Sequence, residues 1–71
     1  MEIRQTLIDG QLVEAGDYVG FKCDIEQSGR IEKITKDWRG ATLHLVNEDG
    51  FEGGYIGGET THEERAEDCW V

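Results

Sequence analysis

Seventy-one residues with sixteen acids against seven bases, a formal net charge of -9, leave room for one hydrophobic core under a surface that repels phosphate. Direct binding of DNA, RNA or an anionic membrane is therefore disfavoured, since each needs Lys and Arg to displace its counterions, and no run approaches the roughly 20 apolar residues of a membrane-spanning helix. Hydrophobic content of 37%, with two Trp, two Tyr and two Phe, is too rich for a disordered chain, so a single folded domain over residues 1–71 is expected.

Short alternating runs bounded by Gly and Asp recur at intervals of about ten residues, the pattern of an all-β meander. Ile3-Arg4-Gln5-Thr6-Leu7-Ile8 reads as a first strand, Asp9-Gly10 as a type I′ turn and Gln11-Leu12-Val13 as the return of a hairpin. Glu14-Ala15-Gly16-Asp17 turns the chain into the strand Tyr18 to Cys23, with Val19, Phe21 and Cys23 on the inner face. Gly20, on the other face, marks a bend or the close approach of another backbone. Asp24 to Ser28 reads as a connecting loop.

Gly29 to Lys36 reads as the next strand, and its Ile31 and Ile34, three apart, break alternation and predict a bulge or strong bend. Asp37-Trp38-Arg39-Gly40 is a turn, Ala41 to Val46 a strand with Ala41, Leu43 and Leu45 inward, and Asn47-Glu48-Asp49-Gly50 a second hairpin turn. In the glycine-rich stretch Phe51 to Gly58, Tyr55 and Ile56 are expected to form a short strand. Thr60 or Thr61 reads as the N-cap of a helical or 3₁₀ turn running to Asp68, with Glu63 and Glu64 favoured in its first turn. Cys69-Trp70-Val71 then closes the sheet, with Trp70 in the core.

Gly16-Asp17-Tyr18-Val19-Gly20-Phe21, Gly29-Arg30-Ile31-Glu32-Lys33-Ile34, Leu43-His44-Leu45-Val46 and Ala66-Glu67-Asp68-Cys69-Trp70 occur in the order of a small SH3-like β-barrel of the KOW or Tudor type. The chain also resembles short phage and prophage proteins of that kind, over about three quarters of its length. The resemblance implies a five- to six-stranded barrel with a short helical turn before the last strand. Nucleic-acid-binding members present basic loops where this chain presents acids. Methyl-ligand members use an aromatic cage, for which only Trp38, Tyr55, Tyr18 and Trp70 are at hand, so neither activity is carried over.

No catalytic constellation stands out. His62 beside Glu63 and Glu64 is better explained by acids at a helix start than by a nucleophile's base. Gly50 to Gly58 lacks the following Lys-Ser/Thr of a phosphate loop. His44, His62, Cys23 and Cys69 supply zinc-ligand types without any paired spacing, so no metal or other cofactor is expected. The N-terminus lacks the basic-then-apolar order of a signal peptide, and two cysteines suit a reducing compartment. A cytoplasmic protein with free thiols is expected, a single disulfide being the alternative.

The charge is uneven. Met1 to Asn47 carries eight acids and six bases, whereas Glu48 to Val71 carries eight acids and only Arg65. This pattern suggests a non-catalytic protein-interaction module, monomeric or homodimeric, that engages a basic protein surface. The acids Glu63, Glu64, Glu67 and Asp68 would speed the encounter, and Trp38 or Tyr55 would hold it. Trp38 in its turn is either such an anchor or a lid folded over the barrel end. A DNA-mimic inhibitor, presenting the same four acids where an enzyme expects phosphates, is the alternative.

Overall fold

Asp9 and Gly10 both adopt positive φ, 52° and 80°, and Ile8 faces Gln11 across them, so the expected type I′ turn joins β2 (Gln5–Ile8) to β3 (Gln11–Glu14). The computed structural model describes all residues, Met1–Val71. The first strand is not continuous to Met1, however. β1 (Glu2–Ile3) pairs instead with Ile34 and Thr35, and the chain bends at Arg4. Ile3 and Ile8 both pack on the core, and two inward residues five apart cannot share a face of one regular strand. The bend resolves that conflict.

β4 (Tyr18–Cys23) runs as expected, but Asp24 to Ser28 is no loop. Asp24, at φ 75°, reverses the chain directly into β5 (Ile25–Asp37), whose first residues pair with β4 from Cys23↔Ile25 to Tyr18↔Arg30. The polar Glu26, Gln27 and Ser28 obscure this strand in the sequence because its apolar partners lie on neighbouring strands. Farther along β5 the register slips between Ile31 and Lys33, the bulge foreseen from the Ile31/Ile34 spacing, and both isoleucines are buried. At the bulge, Gly16 N–H donates to Ile31 O and Ile31 N–H donates to Asp17 O, each at 2.8 Å, so both backbone groups of Ile31 are paired.

β6 (Gly40–Val46) returns along β5, and β7 (Thr61–Arg65) continues the sheet on β6's far edge. The expected helix start at Thr60–Thr61 is therefore corrected to a strand, with Leu45↔His62 and His44↔Glu63 in register. Five residues without apolar spacing of three or four have nothing to bury as a helix, whereas β6 offers them a full ladder. Helical structure is confined to one 3₁₀ turn, Ala66–Asp68. The closing strand reduces to one bridge, Gly20↔Trp70.

The architecture is all-β. One sheet runs in the order β1-β5-β6-β7 with β4 also on β5; β2 and β3 form a separate ribbon, and the two are not closed into a ring. Between them lies one core: Ile8, Val13, Val19, Phe21, Ile31, Ile34, Leu43, Leu45, Phe51, Ala66 and Cys69. No helix is long and apolar enough to cross a membrane.

Trp70 is 38% exposed, seated on the outer side of β4 and not in the core as expected. Its N–H and C=O exchange hydrogen bonds with Gly20 at 2.9 and 2.7 Å, and a Cβ on Gly20 would stand 2.1 Å from the indole Nε1. The glycine marks a close approach, as its place in the strand suggested. Gly20→Ala is expected to lift the indole into water and to cost about 1–2 kcal/mol. In a Trp38→Phe background the remaining tryptophan emission should shift to the red; unchanged emission would show that the ring does not rest on Gly20.

Candidate functional site

Asn47 to Gly50 forms the expected turn, with Gly50 N–H donating to Asn47 O at 2.9 Å, but no hairpin follows. The chain makes a ten-residue excursion, 51–60, before β7. Its neck is closed by hydrogen bonds from Asn47 N–H to Thr60 O, Phe51 N–H to Glu59 O and Gly58 N–H to Phe51 O, all between 2.7 and 2.9 Å. Two side chains dock it onto the β4–β5 hairpin. Gln27 accepts from Glu52 N–H at 3.0 Å and donates to Glu52 O at 3.1 Å, and Asp24 accepts from Gly54 N–H at 2.8 Å.

Within this excursion Phe51 fills the core, its ring edge-on to Phe21 at 5.6 Å and to His62 at 6.1 Å, while His62 stacks on Phe21 at 5.1 Å. Tyr55 and Ile56 lie in turns and not in the short strand expected. Ile56 packs against the core, and Tyr55 is 83% exposed. A groove of about 520 Å³ opens beside it, bounded by Glu32, Lys33, His44, Tyr55, Glu59 and Glu63. His44 Nε2 lies 2.9 Å from Thr35 Oγ1, and its Nδ1 lies 3.8 Å from Glu63 Oε2.

The four acids singled out in the sequence do not form one row. Strand alternation sends Glu63 outward beside His44, whereas Glu64 lies on the core side with His62, 3.3 Å from its Nε2. Glu67 and Asp68 are exposed on the 3₁₀ turn. Tyr55 and Glu63 meet in the groove; Glu64, Glu67 and Asp68 lie outside it. The groove residues Glu32, His44 and Glu59 carry no local signal, being brought together by a bulge, a central strand and a loop.

Trp38 is 90% exposed at the tip of the β5–β6 hairpin, so its ring stands open and is not a lid folded over the end of the domain. Its turn is fixed by Arg39 N–H donating to Asp37 Oδ1 at 2.8 Å, and the Arg39 guanidinium sits 5.4 Å over the indole. The Arg39 amide, then the Arg65 guanidinium 3.8 Å away, hold the Asp37 carboxyl below its ordinary range. Trp38 and the 47–60 region stand at opposite ends of β6, whose seven residues span about 23 Å. At the latter end Arg30 pairs with Glu48. Glu48 is held low by its own amide and by Arg30, and the pair ties the turn to β5.

Two further exposed side chains, Leu7 and Leu12, are cross-strand partners on the β2–β3 ribbon, each 62% exposed. No signal in the sequence marks them, because alternation alone does not say which face of a two-stranded ribbon meets the core.

The cysteines are free thiols, Cys23 half-buried and Cys69 buried with its Sγ 3.4 Å from Arg65 O. No three His, Cys, Asp or Glu side chains converge as metal ligands would. Burial, reinforced by Glu64 and Asp68, pushes the Cys69 thiol up to about 12. Unfolded, that thiol ionises from about pH 8.5, while the fold keeps its proton until near 12. The unfolded state thus binds fewer protons, and this group's contribution lowers stability as pH rises through that window. With a thiol reagent at pH 8, Cys69 is expected to stay unmodified until denaturant is added; its rapid labelling in the native protein would contradict the burial.

No family model, no curated protein and no solved structure matches the chain.

Proposed function

We propose that this protein is a non-catalytic interaction module that engages a basic surface on a protein partner, with Trp38 as its apolar anchor. The observation that carries the reading is an indole 90% exposed on a turn held by backbone-to-carboxylate bonding, where a partner meets a ring already in place. The net charge of -9, concentrated after Asn47, supplies steering toward positive surfaces. The two features are a strand's length apart, yet the molecule measures only 29 × 21 × 19 Å. An interface of standard size, about 800 Å² per partner, is wide enough to cover both.

The same reading assigns the fold to the small SH3-like modules. Its support is a long β5 that pairs with three strands around a central bulge, and the 3₁₀ turn immediately before the last pairing.

Affinity capture with the wild-type protein and with Trp38→Ala, in low and in high salt, tests the module. One protein is expected to be retained by wild type, lost with the variant and released by salt. Equal retention by both forms removes Trp38 as the anchor, and indifference to salt removes the basic surface.

A further inference from the structure

Leu43 and Leu45 turn one face of β6 to the core, which leaves His44 on the outer face of the β5–β6–β7 sheet. Pairings across three strands set Lys33, His44 and Glu63 side by side on that face. Glu32 at the bulge and Glu59 at the neck of the excursion add two more carboxylates to the groove, giving three against one ammonium. Glu32 and Glu59 form no ion pair, and Lys33, although it borders the same groove, comes within 4 Å of no carboxylate. Tyr55 stands at the edge with its ring open to solvent. An aromatic face beside carboxylates that outnumber the cations of the groove is complementary to one kind of side chain in particular, a planar cation that stacks and forks at once.

We propose that the groove beneath Tyr55 receives an arginine side chain of the protein partner, the guanidinium lying against the Tyr55 ring and directed at Glu32, Glu59 and Glu63. This rests on the interaction-module reading and names what that module recognises. His44 helps shape the floor, its ring bracketed by Thr35 and Glu63. Lys33 is the native competitor, since its charge partly cancels that of the carboxylates.

The probe is a short peptide, acetyl-Gly-Arg-Gly-amide, against its citrulline counterpart, which keeps the shape and loses the charge. Titration followed by the amide and ring resonances of the 71-residue protein is expected to give saturable shifts at Tyr55, His44 and Glu63 for the arginine peptide. Citrulline should bind about tenfold more weakly. Tyr55→Ala should weaken arginine binding several-fold. Lys33→Gln should strengthen it by about two- to fivefold, a gain that a damaged fold cannot mimic.

Equal shifts from both peptides, no shifts at these residues, or no gain with Lys33→Gln overturn the proposal. If arginine binding is absent while a Trp38-dependent, salt-sensitive partner is still captured, the groove assignment alone falls. If the groove binds arginine but Trp38→Ala changes nothing, the Trp38 anchor falls instead.

Discussion

Phe51→Ala is expected to destabilise the protein by about 3–5 kcal/mol, the usual loss for a fully buried phenylalanine. A chain of this length has a total stability of roughly 4–11 kcal/mol, so much of the population would be unfolded in mild denaturant. Phe51 lies outside every strand, yet its ring is buried and contacts Phe21 and His62. Its backbone is clamped on both sides, the N–H by Glu59 and the C=O by Gly58, so the excursion cannot easily move another side chain into the hole. Gly29 faces the same ring: a Cβ there would lie 3.1 Å from the Phe51 ring and from Leu45 Cβ, so the wall has no side chain to collapse inward. Urea denaturation of wild type, Phe51→Ala and Phe51→Leu checks this. Leucine should retain most of the stability, and a loss below about 1 kcal/mol for alanine would show that the ring is not part of the core.

Trp38→Ala should act in the opposite way. Measured by calorimetry on the purified complex, it is expected to weaken partner binding by about 30-fold or more, since a central tryptophan anchor is worth about 2 kcal/mol or above. Folding stability should stay within about 0.5 kcal/mol of wild type, because the ring touches little beyond Arg39. Trp38→Phe should restore part of the affinity. A large stability loss with Trp38→Ala would mean that the indole packs on the domain, and unchanged affinity would place the anchor elsewhere.

The residues that read correctly are those whose signal is local. Asp9-Gly10 specifies its turn because few dipeptides accept positive φ twice, and Ile31 with Ile34 announces the bulge because alternation cannot bury both otherwise. Tyr18 to Cys23 reads as a strand for its inward Val19 and Phe21. Thr61 to Arg65 misleads for the same kind of reason. Thr, Glu and Glu are good helix-start residues locally, but the edge of β6, nineteen positions back from Glu63 at His44, offers ladder bonds and a place for His62 on Phe21. The polar start of β5 fails similarly, since Gln27 is a strand residue whose side chain serves a backbone 25 positions away.

The candidate site divides along the same line. An aromatic in a turn and an acid-rich C-terminal third are legible in the residues, because turn chemistry and charge are properties of short windows, whereas the exposure of the Trp38 ring is decided by the fold. That the acids at 63 and 64 part to opposite faces, that Phe51 leaves the glycine-rich stretch to enter the core, and that Glu32, Glu59 and Glu63 gather around Tyr55 depend on which strand edges meet. Those encounters are set by burying one shared core from segments far apart in the chain, and no local window contains the energy that selects them.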